Sequence, residues 1–177
     1  MPTRFLTGQR LTADLLNANV YDFFPVSYSK AAPTSRASTV TYADDPELQG
    51  IPLSVGTWEI EMTGFWTQAS TAPRIKTQWG FTGTWVSTFR ACIGAGSAQL
   101  GGPETVSDAT FRGYVTDTQD AIYSQSTSAA YGVFRELARN VTVTTAGNLS
   151  LKWAQSVSTA ANVTLQATSG FTVRKIS

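Results

Sequence analysis

From Ser38 to the end of the chain, apolar residues return at every second position, and this period constrains the fold more than any other feature. "TWEIEMTGFWT" sets Trp58, Ile60, Met62 and Trp66 on one face and Glu59, Glu61 and Thr63 on the other, with Phe65 interrupting the polar side. "RIKTQWGF" sets Ile75, Thr77, Trp79 and Phe81 against Arg74, Lys76 and Gln78, and "TWVSTFRACI" groups Trp85, Phe89, Ala91 and Ile93. "VTVTT" follows, then "NLSLKWAQSV" with Leu149, Leu151, Trp153 and Val157 on one side, then "NVTLQA" and "GFTVRKI". A run of this kind is a half-buried strand, because successive side chains of extended backbone point to opposite faces. Short turns with glycine separate the runs: "SVG", "TG" at 82–83, "AGN" at 146–148 and "TSG" at 168–170. The pattern predicts an all-β jelly-roll sandwich of about eight to ten antiparallel strands, with essentially no helix after residue 25.

A chain of 177 residues suits one domain with a full core. Charged residues are 14% of it, so Ser and Thr must cover much of the exposed strand surface. The net charge is +1 and no basic or acidic block occurs, which argues against electrostatic binding of nucleic acid or a membrane surface. No apolar run approaches the ~20 residues of a membrane span. "MPTRFLTGQRLTADLL" has no signal-peptide core, so synthesis in a cytoplasm is expected.

Histidine is absent, which excludes Ser-His-Asp and Cys-His catalysis and removes the commonest zinc ligand. The single cysteine, Cys92, forms no intrachain disulfide and reads as a buried apolar residue. "GAGSAQLGG" lacks the Gly-Lys-Ser/Thr of a phosphate loop, and no cofactor is expected. The carboxylates available for hydrolysis are the neighbours Asp44 and Asp45, and Asp117 with Asp120 at a loop start. "DDPE" reads as a solvated turn rather than a calcium site. The sequons at Asn140, Asn148 and Asn162 are read as unmodified.

The first residues follow a different rule. In "LTADLLNANVYDFF", Thr12 is a good N-cap, Leu11 and Leu16 stand at staple positions, and Pro25 stops the pattern. A helix over about 12–20 is predicted, too short to be stable alone. Residues 1–37 are read as an anchoring arm of helix and polar linker, and 38–177 as the roll. The arm's apolar set is Phe5, Leu11, Leu15, Leu16, Val20, Phe23 and Phe24. Two long loops, 94–108 and 117–132, have Tyr114, Tyr123 and Tyr131 in or beside them. With Asp117 and Asp120, these loop tyrosines are the candidate ligand contacts, a host-surface glycan being one possible ligand.

Two stretches carry a resemblance. "FLTGQRLTADLLNANVYD", through Phe5, Gly8, Leu11, Thr12, Ala13, Leu16 and Asn17, resembles the N-terminal segment of small tail-associated and fibre proteins of tailed bacteriophages. "LSVGTWEIEMTGFW" taken with "GNLSLKWAQSVSTAANVTLQATSGFTVRKI" is similar to the jelly roll of phage fibre heads and of tumour-necrosis-factor and complement-type heads. The matching positions are Gly56 and Trp58, then Gly147, Leu149, Leu151, Trp153, Ala154 and Gln155, then Phe171, Val173 and Arg174. The resemblance implies a non-enzymatic homotrimer of the virion, assembled in the host bacterial cytoplasm. It implies attachment to a tail or major capsid protein through residues 1–25. The placement is a tail-tip or fibre component, or alternatively a capsid decoration or head-fibre protein. A carbohydrate-binding module is a further alternative, and a hydrolase on the same fold another. The resemblance also implies a last strand lying against the threefold axis, with Phe171, Val173 and Ile176, and Tyr131 and Val133 from a neighbouring strand, facing that axis. The competing placement for these side chains is the sandwich core, because alternation alone does not separate the two.

Overall fold

The computed structural model describes residues 12–13, 24–70, 72–86, 89–95, 109–114, 119–124 and 131–177, with backbone only for 95 and 109–114. Among the described residues, fourteen strand segments form two antiparallel sheets. In the larger sheet, β1 (Val26–Ser29), β14 (Gly170–Lys175), β5 (Gly56–Gln68), β11 (Gly132–Thr145), β8 (Arg90–Ala95) and β9 (Ala109–Tyr114) lie side by side in that order. The same sheet includes β13 (Val163–Leu165), which joins β5 to β2 (Thr34–Arg36), and β7 (Thr84–Val86), which pairs with the far end of β11. The smaller sheet runs β10 (Ala121–Tyr123), β6 (Ile75–Phe81), β12 (Gly147–Gln155), β3 (Ala43–Asp44), with β4 (Ile51–Leu53) also on β12. Count β1, β4, β5, β6, β10, β11, β12 and β14 as first to eighth. The sheets then read first–eighth–third–sixth and fifth–fourth–seventh–second. That order is jelly-roll connectivity, two Greek keys folded face to face. The β8–β9 hairpin is an insertion between the fourth and fifth strands that widens the larger sheet beyond β11.

The alternation predicted for β5 is borne out: burial switches at each step, with Trp58, Ile60, Met62 and Trp66 inside. Trp79, Leu149, Leu151 and Trp153 meet them from the smaller sheet. Trp79 and Phe171 touch edge to face across the core, with ring centroids 5.6 Å apart. Phe134 stacks on Tyr123 at 4.6 Å. Phe134 pairs with Gly64 on one side and Gly94 on the other. A Cβ on Gly64 would stand 2.1 Å from the Phe134 ring, and one on Gly94 would stand 2.5 Å from Tyr123. Both strands therefore give up a side chain where the aromatic pair needs the volume.

In β11 the core phase changes part-way. Phe134, Glu136 and Ala138 face inward, and so do Val141 and Val143. A bulge between Ala138 and Val141 absorbs the extra residue, with Asn140 at φ 57°. Asparagine tolerates that left-handed conformation better than most residues.

Several expectations are corrected. Residues 26–36 are not linker: β1 and β2 belong to the sandwich, Val26 and Tyr28 pack on the core, and Lys30 is buried. The fold therefore includes chain on the N-terminal side of the expected boundary at residue 37. "TWVSTFRACI" is two strands, and in β8 the inward residues are Arg90 and Cys92. Phe89 and Ile93 point outward, because Arg90 faces a buried carboxylate, Glu136, on β11. Val157 is exposed because β12 ends at Gln155. The loop at 117–132 contains β10, which pairs with β6. In the "TSG" turn the left-handed residue is Thr168, at φ 68°. The expected helix over about 12–20 lies outside the described residues except for Thr12 and Ala13, both exposed.

Candidate functional site

The outer face of the larger sheet collects the exposed charges of three neighbouring strands. Alternation turns Glu59 and Glu61 of β5, Arg135 and Arg139 of β11, and Thr172 and Arg174 of β14 away from the core. Arg135 donates from Nε and Nη2 to the two oxygens of Glu61 at 2.6 and 2.7 Å, a two-bond clamp. Hydrogen bonding to Glu61, then its negative charge, raises the Arg135 pKa above its ordinary value. Glu59 accepts from Arg174 Nη2 at 2.5 Å and is ion-paired with Arg139, whose Nε lies 2.9 Å away. A depression of about 280 Å³ lies here, lined by Pro25, Glu59, Glu61, Arg139, Thr172 and Arg174. Both its carboxylates are engaged by guanidinium groups.

Beside this ladder the same face turns apolar. Phe89 is 54% exposed, Ile93 44%, Val133 49% and Tyr131 70%. Ile93 stands opposite Arg135, and Val133 stands opposite the half-buried Phe65. The Glu61 clamp draws the Arg135 guanidinium towards β5.

Two buried ionic groups tie the fold together. Arg90 and Glu136, both fully buried, approach to 3.4 Å. Glu136 accepts from the Thr77 hydroxyl and, at 2.9 Å, from the Tyr123 hydroxyl. Arg90 Nη2 donates to the Gln119 carbonyl at 2.6 Å. Strands β8 and β11 are thereby bonded through the core to β6 and β10 of the opposite sheet. Burial, then the charge of Glu136, pushes the Cys92 thiol up to about 12, and the same causes raise the Tyr123 hydroxyl well above its usual value. Cys92 is thus a protonated thiol at neutral pH, in keeping with its expected buried role. In the second group, Lys30 Nζ lies 2.7 Å from Asp45 Oδ1 and donates to Thr34 Oγ1 at 3.0 Å. Asp45 also accepts the backbone N–H of Glu47 and Leu48 and, at 3.1 Å, the indole N–H of Trp153. Within the "DDPE" segment, then, Asp45 is buried, while Asp44, Pro46 and Glu47 are exposed, as a solvated turn requires.

The sequence-predicted site residues separate into distinct places. Phe171 and Val173 are buried in the core, 1% and 0% exposed. They are covered by the opposite sheet of their own chain, so they are not free to face an axis. Strand β14 is hydrogen-bonded on both sides, by β1 and β5. Its concealment is intramolecular. Ile176, Tyr131 and Val133 are exposed. Tyr123 is a core residue, not a loop ligand contact, because β10 turns it inward onto Phe134 and Glu136. Asp120 accepts from Gln78 Nε2 at 2.8 Å and lies 3.9 Å from Lys76 Nζ. Asp117 lies outside the described residues, as do Phe5, Leu11, Leu15, Leu16, Val20 and Phe23, and the side chain of Tyr114. Phe24 is 62% exposed. Among the described residues no cluster of three His, Cys, Asp or Glu side chains is placed to hold a metal, and no helix is long and apolar enough to cross a membrane.

Sequence reasoning missed the Arg90–Glu136 and Lys30–Asp45 pairs. A signal for the first was present: Glu136 shares strand parity with Phe134. No protein-family model matches this chain, and no curated protein matches it.

Proposed function

We propose that this protein is a non-enzymatic structural component of a tailed-bacteriophage virion, a homotrimer with its jelly roll exposed and its N-terminal arm, residues 1–25, attached to another virion protein. One observation carries the reading. The separate stretches whose residues resemble phage and tumour-necrosis-factor-type heads meet in the fold as jelly-roll neighbours. Strand β14 pairs with β5 along Gly170–Thr63 to Lys175–Trp58, and β12 faces them from the other sheet. The resembling residues thus coincide with the closing strands of one double Greek key rather than lying scattered over unrelated surfaces. The ion-paired outer face supports a binding or packing role, since its carboxylates are already engaged.

The test has two parts. Sedimentation equilibrium of the purified chain at micromolar concentration should give about three times 19.0 kDa. Mass spectrometry of purified particles should find the chain as a stoichiometric component, and a chain lacking residues 1–25 should keep its oligomeric mass but not join particles. A chain that sediments as a monomer and is missing from particles ends the proposal. Copy number separates the two placements, because hundreds of copies per particle belong to a shell and not to a tail tip.

A further inference from the structure

We propose that Lys30 and Asp45 become joined by an isopeptide bond, which the folded chain forms by itself with loss of one water. The inference goes beyond the virion reading and does not depend on it.

The reactants are held for this step. Lys30 Nζ lies 2.7 Å from Asp45 Oδ1, and both side chains are 0% exposed. Backbone bonds fix each partner. The Lys30 N–H donates to the Ser169 carbonyl at 2.9 Å, and the Thr168 N–H donates to the Lys30 carbonyl at 3.0 Å. The Asp45 N–H donates to the Leu151 carbonyl at 2.8 Å. An amine and a carboxyl held in this way react without the entropy loss of meeting in solution. Burial favours the product, because one neutral amide replaces two desolvated ions. The other buried ion pair cannot follow this course. The Arg90 guanidinium stays protonated, whereas a buried lysine amine can act as a nucleophile.

The surroundings serve the chemistry. Asp45 Oδ1 accepts the backbone N–H of Glu47 at 3.1 Å and of Leu48 at 3.2 Å, and Oδ2 accepts the indole N–H of Trp153 at 3.1 Å. These donors hold the negative charge of the tetrahedral intermediate. Lys30 Nζ passes one proton across its hydrogen bond to Oδ1 and attacks Cγ, forming the C–N bond. A second proton leaves the nitrogen for Glu47 Oε1, 3.5 Å from Nζ, and is handed on to Oδ1. The Cγ–Oδ1 bond then breaks and Oδ1 departs as water. Oδ2 stays as the amide oxygen on Trp153, the nitrogen keeps one hydrogen, and Glu47 ends as the carboxylate it began as. The new bond ties the end of β1, in the larger sheet, to the segment after β3, in the smaller one. Residues 30–45 become a closed loop that persists when the chain unfolds.

The experiment uses the full chain and mass spectrometry under denaturing conditions. The wild type should be lighter than its sequence mass by one water. Trypsin should leave the Lys30–Ala31 peptide bond uncut and release residues 11–36 joined to residues 37–74. Lys30→Arg keeps the charge but not the nucleophile, and it should have its full sequence mass. Glu47→Gln should reach the wild-type deficit about a hundredfold more slowly after folding, as loss of a proton carrier predicts. A wild type of full mass that trypsin cuts after Lys30 overturns the proposal, and the virion reading survives untouched. A deficit that persists in Lys30→Arg places the lost water elsewhere and overturns it equally. Should Lys30→Arg not fold, the joined peptides of the wild type decide.

Discussion

Glu136 and Arg90 face each other in the core, each fully buried. Such a pair contributes little net stability, because desolvation offsets attraction, but breaking it leaves one ion uncompensated. Glu136→Ala should therefore cost about 3–5 kcal/mol in urea unfolding. Arg90→Met added to Glu136→Leu should recover part of the loss, since no unpaired ion remains. A single-variant loss below about 1 kcal/mol would mean that water already reaches the pair. Glu47 acts at the surface by hydrogen bonding. Its carboxylate accepts the backbone N–H of Ala31 at 2.7 Å and of Ala32 at 3.2 Å, and the first of these bonds is the main cause of a pKa below the ordinary 4.5. A lowered folded-state pKa means that the unfolded chain binds the proton first as pH falls. The stabilisation is thus complete above the ordinary value and is lost as pH drops through the lowered one. The gap in urea midpoint between wild type and Glu47→Gln should be largest at neutral pH and should close as pH falls below the ordinary 4.5. An unchanged gap would show that the carboxylate's charge is not what matters.

Strand phase decides what β14 can do. With Phe171 and Val173 inside and Thr172 and Arg174 outside, the strand closes the core of its own subunit. Phe171→Ala should cost about 3–5 kcal/mol, as emptying an aromatic core site does. Thr172→Ala, one residue along, should stay within roughly 0.5 kcal/mol of wild type. If Phe171→Ala instead left unfolding unchanged and altered the oligomeric mass, the buried placement would be wrong. In β8 a single step of phase exchanges Arg90 and Cys92 for Phe89 and Ile93. That step turns Phe89 and Ile93 to the surface and puts Arg90 and Cys92 in the core.

At the scale of the whole molecule the core is continuous. Trp58, Trp66, Trp79 and Trp153, contributed by both sheets, belong to one cluster with Phe134, Phe171 and Leu151. The buried Arg90 group bonds the sheets to each other through it. Neither sheet can retain its inner face without the other. Tryptophan fluorescence and far-UV circular dichroism should therefore report coincident transitions in denaturant. Separated transitions would show that the β8–β9 insertion or one sheet unfolds on its own.

The sequence alone determined that this chain forms a two-layer β-structure and which faces of β5, β6 and β12 are inside, because period two with one apolar side has a single low-energy placement. It also determined that Cys92 is buried and that histidine-based chemistry is impossible. Tertiary structure decided the rest. It moved β1 and β2 into the sandwich, since hydroxyl-rich edge strands look like linker until their partners are known. It put Phe171 and Val173 in the core, because alternation says that a face is covered but not by what. It hid Lys30, Asp45, Arg90 and Glu136, whose partners lie 15 and 46 residues apart along the chain. A charge is buried when its counter-ion arrives through space, and spacing along a strand holds no record of that meeting.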